Sequence, residues 1–343
     1  MTDAARIALS IGCPSGVGPE VSVVAAALSR SARVLLVGDE QAVLAAAKGR
    51  GIDRKRIARV ERPEVAWALA RSRIPLWQPT ADLALRDRKP GAPTRASGAA
   101  QLAWVDAACD SVVQGEATAL VTGPVSKEAI VRSRAPGSEG FLGHTEHLQR
   151  RLGAREVVMA FWSPSLVTSL ATTHLALARV PRALTPALVA RATYWLAWLL
   201  ARTTCRRPRV VVAALNPHAG EGGLLGREER TRIAPGIVRA RARLKASRIE
   251  ATIDGPTPAE SAFRLAASGR WDGVVAMYHD QATIPMKLTG FGDAVNVSLG
   301  LPIVRTSVDH GTGYDRAGSW TADARGMRAA ISLASLLAGR ERL

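Results

Sequence analysis

One plan, repeated along the 343-residue chain, limits what it can fold into: a short β-branched apolar run, an abrupt polar or glycine-rich turn, then a stretch with helical spacing of apolar residues. Strand-like runs occupy residues 7–11, 34–37, 119–122, 166–172, 210–215 and 274–278, and helix-compatible segments such as 98–113 and 186–201 lie between them. Strands that alternate with helices predict an α/β fold with a mainly parallel sheet. Ligands of such sheets bind beyond the carboxyl ends of the strands, where loops converge and helix amino termini point inward. The chemistry is therefore expected directly after the strands.

Three of the six histidines close an apolar run: His174 after SLVTSLATT, His218 after VVVAALNP and His279 after VVAMY. A single histidine at a strand end is ordinarily a hydrogen-bonded structural residue. Three in the same topological place would share one edge of a parallel sheet, and three neutral imidazoles with an open position form a catalytic divalent-metal site. Zinc, cobalt, nickel, manganese and magnesium are all admissible. No short motif such as HExxH fixes the geometry, so spacing alone leaves both readings open.

The first strand runs into Gly12-Cys13-Pro14-Ser15-Gly16-Val17-Gly18-Pro19-Glu20, where glycines permit a tight turn and Pro19 suits a first helical position. The dinucleotide fingerprint GxGxxG is missing, which argues against a standard Rossmann half. The most anion-friendly stretch spans residues 287–305. Lys287, Asn296 and Arg305 recur there, and only Arg305 offers a planar fork for phosphate or carboxylate. Its plainer alternative is an arginine paired with an acid such as Asp309. Gly143-His144-Thr145-Glu146 adds an imidazole and a hydroxyl, with Thr145 as the expected helix cap.

A net charge of +17 suggests nucleic acid, but the arginines are scattered through helix-like stretches, and eight tryptophans, three tyrosines and four phenylalanines are few for base stacking. Solvated basic faces, and a field favouring anionic substrates, fit better. Cys13, Cys109 and Cys205, without CxxC spacing, argue against a disulfide framework, a zinc knuckle or an iron–sulfur cluster. Apolar runs fall short of the roughly 18 residues of a membrane span, and the first residues lack a leader pattern. A cytoplasmic enzyme with neither nucleic-acid nor membrane partners is expected.

The segments GCPSGVGPE, VTGPVSKEAI, GHTEHL, ATTHLAL, LNPHAGEGGLLGREE, DGPTPAES, AMYHDQ and GFGDAVNVSLGLPIVRTSVDHGTGYDRAG run in order from residue 12 to about 318. On them the chain resembles the 4-hydroxythreonine-4-phosphate dehydrogenase family of vitamin B6 synthesis, which includes relatives acting on phosphorylated threonate or erythronate. The resemblance implies an α/β, two-lobed, isocitrate/isopropylmalate-dehydrogenase-like fold. Residues 1–130 plus 290–343 would form a cofactor-side lobe and 131–289 a metal- and dimer-side lobe, with the active site in the cleft between them, completed by the partner subunit of a homodimer.

The resemblance also implies His174, His218 and His279 as ligands of one zinc, magnesium, cobalt or manganese ion, and His144, Thr145, Lys287, Asn296 and Arg305 as substrate-binding residues. Asp309, His310, Gly311, Thr312, Asp315 and Gly318 would lie along the adenosine side of NAD or NADP. The implied reaction is oxidation of 4-phosphohydroxy-L-threonine to 2-amino-3-oxo-4-phosphooxybutanoate, then decarboxylation to 3-amino-2-oxopropyl phosphate. Lys127 is the candidate general base, although a lysine at a helix start can be purely structural; Asp280 or Asp309 could orient a histidine or support the metal from behind.

The alternatives are a 4-phospho-D-threonate or erythronate dehydrogenase and, outside this class, a three-histidine hydrolase or aldolase. Three departures from the family pattern stand out. Cys13 replaces the usual acidic residue, Ala282-Thr283-Ile284-Pro285-Met286 replaces a glycine-led run, and Tyr314-Asp315-Arg316 replaces an Ala-Leu-Asp-Leu type of run.

Overall fold

A computed structural model describes residues 4–290 and 292–340. Its elements in chain order are β1 (Ala5–Ser10), α1 (Gly18–Leu28), β2 (Ala32–Val37), α2 (Glu40–Gly49), β3 (Ile57–Val60), α3 (Pro63–Ala66), β4 (Ile74–Trp77), α4 (Arg95–Val113), β5 (Ala119–Thr122), α5 (Lys127–Ser133) and α6 (His144–Arg151). There follow β6 (Val158–Trp162), β7 (Val167–Leu170), α7 (Val180–Ala183), α8 (Pro186–Thr203), β8 (Arg209–Ala213), α9 (Ala234–Ala246), β9 (Thr252–Thr257), α10 (Ala259–Ala267), β10 (Gly273–Ala276), α11 (His279–Gly290) and β11 (Val295–Leu299). The chain closes with β12 (Arg305–Val308) and α12 (Arg325–Arg340).

The chain divides into two compact units, residues 1–155 with 301–343, and residues 156–300. Both junctions lie further along than the 130 and 290 expected from sequence. The first moves because α5 and α6 pack on α4, where Leu102, Ile130 and Phe141 share a buried cluster and His147 of α6 meets Asp106 of α4 at 2.6 Å, and the second because β11 pairs with β6.

In the first unit the strands run β3-β4-β2-β1-β5-β12, each pair parallel. Strand β1 is buried from Ile7 to Ser10, as both faces of a helix-covered parallel sheet require. Helix starts follow local chemistry. Asp39 caps α2 by accepting from Ala42 N at 2.7 Å, and Thr94 and Ser97 form a reciprocal capping box at the start of α4. Pro19 sits in the first turn of α1, as expected.

In the second unit the order is β11-β6-β7-β10-β8-β9. β11–β6 and β6–β7 are antiparallel, whereas β7–β10, β10–β8 and β8–β9 are parallel. The mainly parallel α/β class read from sequence is therefore what the chain adopts. All six strand-like runs contain a strand, and 98–113 and 186–201 lie within α4 and α8. Strands β3, β4, β6, β9, β11 and β12 were not anticipated. Several are short and carry polar or charged residues, Arg305 among them, which masks the apolar signal. Among the described residues no single helix is long and apolar enough to cross a membrane.

Candidate functional site

The second unit sets three histidines at the carboxyl ends of three adjacent parallel strands. His174 lies in the loop after β7, His279 is the first residue of α11 just after β10, and His218 follows β8. β10 pairs with β7 on one side and β8 on the other, so the shared edge expected from sequence is present. The His174 and His279 rings are neighbours, with centroids 5.5 Å apart.

Asp280 approaches His279 Nδ1 at 2.7 Å, an arrangement that holds the proton on Nδ1 and leaves Nε2 as a ligand lone pair. Among the described residues no three His, Cys, Asp or Glu side chains are close enough together to hold an ion. Two of the three expected ligands are thus brought together, and His218 stands on the neighbouring loop. By the chemistry of the donor set, three imidazoles with a carboxylate behind one of them are of the kind that suits a divalent transition metal.

Hydrogen bonds tie the three histidine-bearing loops to one another. Thr172 Oγ1 donates to the Met277 carbonyl at 2.7 Å, linking the loop after β7 to the end of β10. Gln281, next but one after His279, accepts from Met277 N at 2.6 Å and donates to the Ala214 carbonyl at 2.8 Å, linking that turn to the end of β8. The loop beyond Ala214 is unusual: His218, Ala219, Gly220, Glu221 and Gly222 all have positive φ, a left-handed run disfavoured for the three non-glycine residues.

The first unit carries a different constellation. Arg305, the first residue of β12, is buried and donates to Thr122 Oγ1 of β5 at 2.6 Å. Burial lowers its pKa to about 10, opposed by the Glu146 carboxylate, so it stays cationic at neutral pH. His144 opens α6 with Gly143 in the cap position; Thr145, the expected cap, is instead a buried residue of the first turn. The correction has a backbone cause, since Gly143, extended at φ 164°, makes the bend itself and no side chain caps the helix.

Burial, followed by the charges of Arg305, His147 and Lys127, holds the His144 pKa well below the ordinary histidine range. Its Nε2 is buried and has no hydrogen-bond partner among the described residues. Lys127 opens α5 and is exposed. A buried arginine, an imidazole held neutral by burial and a lysine at a helix start are side chains of the kind that contact anions. Lys287 is exposed on α11 and Asn296 lies on β11, its Oδ1 buried without a partner among the described residues; both belong to the second unit.

The 309–318 segment packs on the glycine-rich loop after β1. Val17 N donates to the Thr312 carbonyl at 2.9 Å, and a Cβ on Gly16 would meet that oxygen at 2.5 Å, so only glycine permits the approach. Two of the departures from the family pattern meet here: Cys13 Sγ and Tyr314 Oη are 3.5 Å apart. Tyr314 also bonds Ser126 and Thr312, and its burial raises its pKa to about 12; burial likewise raises the Cys13 thiol. Asp309 is half-buried, His310, Gly311, Asp315 and Gly318 are exposed, and the His310 Nδ1 lies 2.9 Å from the Gly311 carbonyl.

Comparison with known proteins accords with this arrangement. The family described as pyridoxal phosphate biosynthetic protein PdxA matches residues 30–334. The chain belongs to this family. A relative from Geobacter metallireducens, 4-hydroxythreonine-4-phosphate dehydrogenase, is 43% identical over 97% of this chain and 95% of its own length. One of the same name from Desulfosudis oleivorans is 41% identical over 96% of this chain and 94% of its own. The crystal structure of 4-hydroxythreonine-4-phosphate dehydrogenase from Klebsiella pneumoniae is similar with a TM-score of 0.81, 31% identity, and coverage of 98% of this chain and 99% of that one. The segments that carried the resemblance fall on both constellations. Sequence reasoning did not single out Gln281, Thr122, Ser126 or Glu229, whose roles depend on contacts across the fold; a buried glutamate directly after a glycine-rich loop was the one available signal, in GREE.

Proposed function

We propose that the protein is a 4-hydroxythreonine-4-phosphate dehydrogenase, a CH–OH oxidoreductase of pyridoxal phosphate biosynthesis that uses a nicotinamide cofactor, NAD or NADP, and one divalent metal ion. The observation that carries this reading is the placing of His174, His279 and His218 at the ends of adjacent strands β7, β10 and β8 in a chain of this family. The names of the relatives favour the amino-acid substrate over phosphorylated threonate or erythronate. A hydrolase or aldolase reading has no support from any of those names.

The three histidines would hold the metal, with Asp280 fixing the His279 tautomer. When bound, the metal supplies Lewis acidity at the substrate hydroxyl and carboxylate, and the nicotinamide ring accepts hydride. The protein's own groups do the rest. Arg305 and His144 hold the phosphate, His144 remaining neutral so that its open nitrogen can donate one hydrogen bond, with Thr145, Lys287 and Asn296 as further substrate contacts. Lys127 is the group assigned to take the hydroxyl proton. The 309–318 segment, packed on the loop at 12–18, is assigned to the adenosine side of the cofactor. Binding energy at the phosphate then orients the reacting carbon.

A cytoplasmic homodimer completes the reading. Leu175, Leu177, Leu224, Ile284 and Leu288 are exposed on the histidine-bearing loops and on α11, an apolar set that a second copy would cover. The test is formation of reduced nicotinamide from 4-phosphohydroxy-L-threonine by protein reconstituted with a divalent metal. The expected result is turnover that stops with a chelator and returns with added metal; turnover indifferent to the chelator would overturn the metal assignment.

A further inference from the structure

The His218 loop, a short turn over Pro217–Gly223, holds a left-handed backbone strained at His218, Ala219 and Glu221, a conformation that needs support from outside the turn. A buried carboxylate does this. Glu229 is 6% exposed, and its Oε1 accepts from Leu215 N at 2.9 Å and Asn216 N at 2.8 Å, while Oε2 accepts from Asn216 Nδ2 at 3.0 Å. The loop is fitted closely around it. A Cβ on Gly220 would meet Glu229 Oε2 at 2.8 Å, and one on Gly226 would meet Asn216 Nδ2 at 2.2 Å. Asn216 Nδ2 also donates to Glu228 Oε2 at 2.8 Å. Glu229 opens a short π-turn, Glu229–Ile233, that leads into α9, so the carboxylate is anchored on a helix start while it grips the loop.

We propose that Glu229 is a positioning residue for the metal centre: by accepting three N–H groups of the strand-to-loop junction, it holds the left-handed run that sets where His218 stands relative to His174 and His279. This rests on the reading of His218 as a metal ligand. A buried carboxylate with three donors is costly to disturb, because removing it leaves those donors unsatisfied in the interior. Gln281 bonds to the Ala214 carbonyl immediately before the same junction, so the grip of Glu229 is referenced to the turn that carries His279.

The experiment is cobalt titration of the full-length, chelator-stripped protein, following the visible absorption of the bound ion, for wild type, Glu229→Gln, Glu229→Ala and His218→Ala, with circular dichroism as the check on folding. Glutamine keeps one oxygen for the two backbone donors but turns an amino group toward Asn216. Loss of a residue that orients a metal ligand typically weakens affinity about ten- to a hundred-fold. The expected result is cobalt binding weakened at least about ten-fold in Glu229→Ala, less in Glu229→Gln, with an absorption band altered from that of the wild type. Wild-type affinity and band in Glu229→Gln, and in Glu229→Ala if it folds, alongside lost binding in His218→Ala, would overturn the positioning role alone. Wild-type binding by His218→Ala would overturn the ligand assignment beneath it.

Discussion

In the proposed site, His144 and Arg305 would divide the work of holding the substrate phosphate. Arg305 supplies a permanent charge from a buried position braced by Thr122, and its own charge helps keep His144 neutral. Arg305→Gln is expected to raise KM for the phosphorylated substrate roughly thirty-fold, about 2 kcal/mol for a charge-assisted contact, with a smaller effect on kcat in steady-state kinetics. His144 also carries a pH signature. Its folded pKa lies below the unfolded value of about 6.5, so the unfolded chain binds the proton first as pH falls. Its contribution to stability is complete above about pH 6.5 and is lost as pH drops toward the folded pKa. Denaturant unfolding of His144→Gln across that window is expected to show a shallower decline than wild type; equal slopes would remove His144 as the source. The Cys13–Tyr314 contact belongs to the same scale. Tyr314→Phe, which unlinks Cys13, Ser126 and Thr312, is expected to lower unfolding free energy by about 1 kcal/mol.

Elements bring these residues together, and they also mark how much of the fold could be read from the sequence. The apolar runs ending in His174, His218 and His279 announced β7, β8 and β10, because buried parallel strands leave continuous β-branched signals. The strand carrying Arg305 left no such signal, since its burial is polar: Arg305, Thr306 and Ser307 are buried, and Arg305 and Thr306 bond to Thr122 Oγ1 and the Ala330 carbonyl, partners that only the fold supplies. Thr145 was misjudged as a cap because the identity of a capping residue depends on where the helix begins, and extended Gly143 displaces it. The left-handed loop after β8 was legible only as glycine density; its hold on Glu229 needs residues from both sides of the loop. Close helix packing offers a direct check at this scale. A Cβ on Gly98 of α4 would lie 2.0 Å from the Ala129 carbonyl of α5, so Gly98→Ala is expected to cost about 3 kcal/mol and depress the thermal midpoint by several degrees.

At the scale of the whole molecule, +17 charge and exposed leucines pull in different directions. Self-association is opposed by net charge and favoured by apolar patches, and the proposed homodimer requires the exposed leucines beside the histidine loops to outweigh the charge. Sedimentation equilibrium is expected to give twice the 36.3 kDa chain mass, and Leu288→Asp, at a position 81% exposed, is expected to shift the species toward monomer. The substrate of the whole enzyme is tested by comparing kcat/KM for 4-phosphohydroxy-L-threonine, 4-phospho-D-threonate and 4-phospho-D-erythronate on one metal-reconstituted preparation, with carbon dioxide counted against reduced nicotinamide. Preference for the amino acid is expected, with one carbon dioxide released per nicotinamide reduced; preference for either sugar acid, or oxidation without carbon dioxide, would contradict the assigned reaction.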